Sequence, residues 1–123
     1  MSGTFVIKQE RKRFRFDLLD EKGEVVFKGS FGTTKEAVER KVKMIQGFGD
    51  ELADHLQAVE GRIANTYVIR GEEHSAREGE QGRVGDAIPL GFGTLVGGKE
   101  EVLATKEAIL AAAKGAAVVD ETA

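Results

Sequence analysis

The sequence predicts an α+β protein: a tandem pseudo-repeat of two small antiparallel three-stranded meanders, each followed by a helix (βββα), with a connector helix between the units. Three observations predict it. Thr4 to Phe31 holds three short alternating apolar/polar runs separated by turn residues. A helical apolar stripe with a polar start follows directly. Features of this stretch then return in the same order at an offset of about 62 residues. The predicted boundaries are 3–49 for the first unit, 50–64 for the connector helix and 65–119 for a second, degenerate unit packed on the first. Units of this size bury too little surface to be secure alone, so a shared core or sheet is expected.

In the first unit, Thr4 to Gln9 alternates Phe5 and Ile7 on one face with Val6 and Lys8 on the other. Glu10-Arg11-Lys12 is the expected turn. Arg13 to Leu19 is the clearest strand: Phe14, Phe16 and Leu18 share one side, and Arg13, Arg15 and Asp17 the other. Asp20-Glu21-Lys22-Gly23 is a turn, with Gly23 free to take positive φ. Glu24 to Phe31 is the third strand, with Val25 and Phe27 on one face. Thr33 and Glu36 fit a capping box for a helix running to about Gln46, whose stripe is Val38, Val42 and Ile45.

From Asp50 to Ile63, Leu52, Leu56, Val59 and Ile63 keep helical spacing and predict the connector helix. The pattern then restarts. Thr66 to Arg70 echoes Thr4 to Lys8 as a first strand, Gly85 to Ile88 echoes Gly23 to Val26, and Phe92-Gly93-Thr94 echoes Phe31-Gly32-Thr33. Glu72 to Arg83 stands where an aromatic strand is due and reads as a polar loop or edge strand. Pro89 fits an edge strand or a bulge. Lys99 to Lys114 is a second helix, Ala116 to Val119 a short extended segment, and Asp120 to Ala123 a fraying end.

The first unit resembles the YegP-like (UPF0339) family of small uncharacterised domains. The resemblance rests on Gly3-Thr4-Phe5-Val6-Ile7, Phe14-Arg15-Phe16 with Leu18, Asp20-Glu21-Lys22-Gly23-Glu24-Val25 and the Thr34-Lys35-Glu36-Ala37 helix start. It covers residues 3–46 and, more faintly, 65–114. It implies a βββα unit found in tandem or as a dimer of single units. It implies no catalytic residue and no cofactor.

Composition narrows the function classes. The chain has 123 residues and no cysteine, which excludes disulfides, thiol catalysis and thiolate metal sites. No apolar run reaches membrane-span length and no signal peptide opens the chain, so the expectation is a cytoplasmic protein away from membranes. The net charge of −3 is uneven. Residues 1–49 hold eleven Lys/Arg against seven Asp/Glu, and residues 50–123 seven against fourteen.

No constellation predicts an enzyme. Gly93 to Lys99 spells G-x-x-x-x-G-K, but Glu100 stands where a phosphate-binding loop needs Ser or Thr for Mg²⁺, so it reads as a turn into a helix. Glu72-Glu73-His74 lacks the i, i+4 spacing of a metal site, and His55 and His74 read as surface residues. No metal and no cofactor is expected. The expected activity is a non-catalytic binding or interaction module acting through a sheet face or strand edge. Its contact surface is read as Arg11, Lys12, Arg13, Arg15 and Lys28. Its partner is another protein or a second copy of itself. The alternative is a nucleic-acid-associated protein using Arg11 to Arg15. That contact is expected to be weak and electrostatic, because Phe14 and Phe16 face away from the cations.

Overall fold

The computed structural model describes residues 3–63, 65–74, 87–93 and 96–122. β1 (Thr4–Glu10), β2 (Arg13–Leu19) and β3 (Val25–Gly29) form the first antiparallel meander. Asp20 closes its second turn, where Oδ1 accepts the Lys22 and Glu24 amides at 2.9 Å. This is the local bonding that favours Asp in turns. The register shifts between Leu18 and Leu19, and Val26 rather than the predicted Val25 packs against the core beside Phe27. β3 also stops short of the predicted Phe31, which stands 48% exposed.

α1 (Lys35–Phe48) lays Val38, Val42 and Ile45 on the sheet as its stripe predicts. Its N-cap is Thr34, not Thr33: the Thr34 hydroxyl accepts the Ala37 amide at 3.2 Å. Both threonines are competent caps, and the helix begins one residue later than the spacing to Glu36 implied.

The predicted connector helix is absent. A short 3-10 segment spans Gly49–His55, and β4 (Leu56–Glu60) follows it. Leu52 and Leu56 are both buried, as a helical stripe would have them. Leu56 to Glu60 has no clean strand alternation, and pairing with β5 (Thr66–His74) decides for the strand. This also changes the place of Thr66 to Arg70. It lies in a middle strand, flanked by β4 on one side and by β6 (Ala87–Gly93) and β7 (Val96–Gly97) on the other. Of the predicted polar loop, Glu72 to His74 belong to β5; residues 75–86 lie outside the described residues.

β6 is interior, and Pro89 sits at its irregularity: the register slips between Gly71 and Glu72, which opposes Pro89. The slip leaves Leu90 buried. α2 (Lys99–Ala113) buries Ile109, Ala112 and Ala113. β8 (Ala117–Asp120) closes the sheet by pairing parallel to β1. The predicted fraying at Asp120 is corrected, because its carboxylate is ion-paired to Lys35 and accepts the Thr122 amide at 2.8 Å.

The strands form one sheet in the order β4-β5-β6-β3-β2-β1-β8, with β7 beside β5. Two three-stranded meanders therefore meet edge to edge at β3 and β6, through Phe27↔Gly93, Lys28↔Phe92 and Gly29↔Gly91. Both helices cover one face. Phe5, Phe16, Leu18, Phe27 and Ile69 meet Val38, Val42, Ile45 and Ile109 there. Phe16 touches both neighbouring rings, edge-on to Phe5 at 5.8 Å and stacked on Phe27 at 6.3 Å. Fully burying one such ring is worth roughly 1.5–3 kcal/mol. The rings fit because the seam is small. A Cβ on Gly29 would lie 2.4 Å from Phe16, and one on Gly91 (φ 152) would lie 2.2 Å from the Lys28 carbonyl. A polar chain holds the seam to α1: Lys41 Nζ donates to Ser30 Oγ at 2.7 Å, and Ser30 Oγ donates to the Pro89 carbonyl at 2.9 Å. Burial lowers the Lys41 pKa.

Candidate functional site

The sheet's second face carries the chemistry. Its side chains follow from pleating: on β2, Phe16 and Leu18 go to the helices, so Arg13, Arg15 and Asp17 go to the opposite side. Cross-strand pairing extends this face across the molecule in one row. Val119 lies beside Val6, Val6 opposite Asp17, Asp17 opposite Lys28, Lys28 opposite Phe92, Phe92 opposite Arg70, and Arg70 opposite Gln57. Seven strands contribute one residue each.

Two parts of this row differ electrostatically. Around β1 and β2 the charges pair among themselves. Asp17 is only 2% exposed and sits between Lys8 Nζ at 3.2 Å and an Arg15 terminal nitrogen at 3.4 Å. Arg15 also meets Glu10 at 3.0 Å. A carboxylate so enclosed is stabilised by its two cations, which in turn are fixed in place. Toward the seam the pattern changes to cation, ring, cation: Lys28, Phe92 and Arg70 are consecutive. Phe92 is 46% exposed although its strand is interior. Lys28 is exposed, and its acidic neighbour Asp17 is already engaged by Lys8 and Arg15. Arg70 is ion-paired through Nε to Glu72.

A second exposed ring stands at the rim. The Arg13 guanidinium lies 6.0 Å from the centroid of Phe31, within cation–π range. Phe31 lines a shallow groove with Glu10, Arg11, Lys12 and Arg13. Arg11 takes φ 57 in the β1–β2 turn.

The predicted contact residues therefore separate into two groups. Arg13, Arg15 and Lys28 share the face. Arg11 and Lys12 belong to the rim groove. Arg15 is largely consumed by its two acids. Phe92 and Arg70 were missed, and so was Phe31 as a surface ring. The available signal was alternation in Leu90-Gly91-Phe92-Gly93, where a lone large side chain stands between glycines. It becomes informative only once β6 is known to lie beside β3.

Other features are structural or lie elsewhere. His55, read as a surface residue, is half-buried: its ring stacks on Phe48 at 3.9 Å, and Nδ1 is 3.2 Å from the Glu72 carbonyl oxygen. A groove of about 390 Å³ runs between the C-terminal ends of α1 and α2, lined by Ile45, Gln46, Leu52, Leu110 and Lys114 among others. In the G-x-x-x-x-G-K stretch, Gly98 takes φ 92 ahead of α2, and Thr94 and Leu95 lie outside the described residues. Among the described residues, no three His, Asp or Glu side chains gather as a metal site, and no helix is long and apolar enough to cross a membrane.

The architecture defines a two-layer α+β protein with a mixed eight-stranded sheet and two helices on one side. Its fold is that of the YegP-like proteins expected from the first unit. The chain is similar to the protein of unknown function YegP from E. coli, with a TM-score of 0.78 and 14% identity over 98% of this chain and 94% of that one. It is likewise similar to the UPF0339 protein SO3888 from Shewanella oneidensis, with a TM-score of 0.77 and 12% identity over 98% and 92%. At these identities the likeness establishes the fold. No family model and no curated protein matches the sequence.

Proposed function

We propose that this protein is a non-catalytic binding module built from two βββα units, and that its contact surface is the sheet face opposite the helices. The observation that carries the reading is the exposed Phe92 on an interior strand, flanked by Lys28 and Arg70. An apolar ring held in water among cations forgoes burial, and exposed aromatics of this kind mark contact surfaces. The set of groups on this face (rings and cations) is suited to holding a partner rather than to transferring a proton or a group. The reading keeps the expected mode, a sheet face, and moves its centre from Arg11–Arg15 to the seam.

The test uses isotopically labelled protein titrated with fractions of a host-cell extract, separated into protein, nucleic acid and small molecules. The expected outcome is amide shifts on β2, β3, β5 and β6 around Lys28, Phe92 and Arg70. Shifts confined to the α1–α2 groove, or to the helices, overturn the choice of surface.

A second reading has a specific basis. β4 and β8 end the sheet, so each leaves one backbone edge without a strand partner among the described residues. Such edges favour self-association. Light scattering that gives about 13.3 kDa at high concentration removes it.

A further inference from the structure

We infer that the occupant of this face is single-stranded nucleic acid, with Phe92 as a stacking platform for a base and Lys28 and Arg70 as phosphate contacts on either side. This deepens the proposed function and rests on the sheet face being the contact surface.

The surface supplies both kinds of group that single-strand recognition needs, exposed aromatic rings and cations beside them. Lys28 and Arg70 are on strands either side of Phe92. Strand spacing sets their Cα atoms about 10 Å apart, with the ring midway. Phe31 offers a second exposed ring just past the end of β3, with Arg13 over it. Arg11 and Lys12 extend the positive track from there around the rim groove. The two rings and their cations thus form a path from the middle of the sheet to its end.

Charge decides between occupants. Among the described residues of β1, β2, β3 and β5 on this face and of the β1–β2 turn, Lys8, Arg11, Lys12, Arg13, Arg15, Lys28 and Arg70 stand against Glu10, Asp17 and Glu72, a surplus of four positive charges in that stretch on a chain of net charge −3. A polyanion complements that surplus, and the remainder of the molecule repels it. A rigid duplex has its bases stacked inside, so Phe92 and Phe31 would have nothing to stack on. A single strand presents base faces and phosphates together. An acidic protein segment would have to bring its own apolar or aromatic side chains to these rings, whereas every nucleotide carries both groups.

The experiment is fluorescence anisotropy with labelled oligouridylate and oligothymidylate of about ten nucleotides, a length set by typical single-strand site sizes. It is run on the whole chain from low to moderate salt. Binding is expected to weaken with salt with a log–log slope near −2, since each of about three phosphate contacts contributes about −0.7. Phe92→Leu is expected to weaken binding about tenfold or more at unchanged melting temperature, and Phe92→Tyr to retain it. Lys28→Ala with Arg70→Ala is expected to flatten the slope by about 1.4. No binding at low salt overturns the inference, as does binding indifferent to Phe92→Leu. If the extract titration shifts the sheet face while both oligonucleotides fail, the face stands and its occupant is a protein or another polyanion. If the extract shifts other surfaces, the proposed function itself fails.

Discussion

The two meanders have the same strand order and opposite fillings. β1, β2 and β3 bring Phe5, Phe16 and Phe27 to the core. β5 and β6 bring Ile69 and Leu90, and also Gly71, Gly91 and Gly93. Gly71 and Gly91 mark where the Phe27 ring of the first meander needs room, whereas Gly93 lies against Ile69 and Ile109. A Cβ on Gly71 would lie 2.8 Å from Phe27, and one on Gly91 would lie 2.7 Å from the same ring. The second meander sends no aromatic ring into this core, and Phe92 on β6 stays exposed: one half supplies bulk and the other supplies space. The helices differ too. α1 is capped by the Thr34 side chain, whereas α2 starts at Gly98 and Glu101 reaches back to accept the Gly97 amide at 2.9 Å.

The largest effect tests the bulk. Phe16→Ala removes a fully buried ring that touches two others, and a loss of about 4 kcal/mol is expected from denaturant titration. An unmoved midpoint would deny the first meander its role as ring donor. Gly91→Ala tests the space. Its new methyl meets backbone and ring at a φ that L-residues avoid, and about 3 kcal/mol is expected, or failure to accumulate as folded protein.

The comparison sharpens in a double-mutant cycle. Gly71→Ala is expected to be costly alone and much less so with Phe27→Leu, because the smaller side chain vacates the contact. A coupling of about 1–2 kcal/mol is anticipated, and strict additivity would show that the two halves do not share this space. Thr34→Ala should cost about 1 kcal/mol, which would place α1's start on its side-chain cap.

The smallest effect concerns β8. Lys35 holds the Asp120 carboxyl down from 3.8 to about 2, with Thr122 assisting. The same pairing raises the Lys35 pKa. A depressed acid stabilises the fold above its unfolded pKa and loses that contribution as pH falls through the folded value. The stability difference between wild type and Asp120→Asn should be steady above about pH 5 and vanish near pH 2. The Lys35 contribution is lost at the other extreme, as pH rises past the ordinary lysine range. Hydrogen exchange at β8 amides would follow both limits. A difference that grows on acidification would contradict the pairing.

How much of this was legible follows from the range of the interactions. β2 could be assigned face by face, since Phe14-Arg15-Phe16-Asp17-Leu18 alternates without ambiguity. Lys99 to Ala113 was legible as a helix because it is long. Leu56 to Glu60 was not legible, since Leu52, Leu56 and Val59 keep helical spacing, the five residues do not alternate, and the deciding partner, β5, starts after an intervening turn. The helix cap missed by one residue because Thr33 and Thr34 are equivalent in kind. The site was half legible. Arg13 and Arg15 share a face by local alternation within β2, whereas Lys28, Phe92 and Arg70 join them only through the β2–β3, β3–β6 and β5–β6 pairings.

Lys28 comes from one half of the chain and Phe92 with Arg70 from the other, and the three become neighbours only where β3 meets β6. A deletion series will therefore fail to map the surface to either half, because neither fragment contains it. Conversely, any ligand that reads these three residues together is a reporter of the closed sheet, and its signal should vanish with the seam rather than fade as the ends are trimmed.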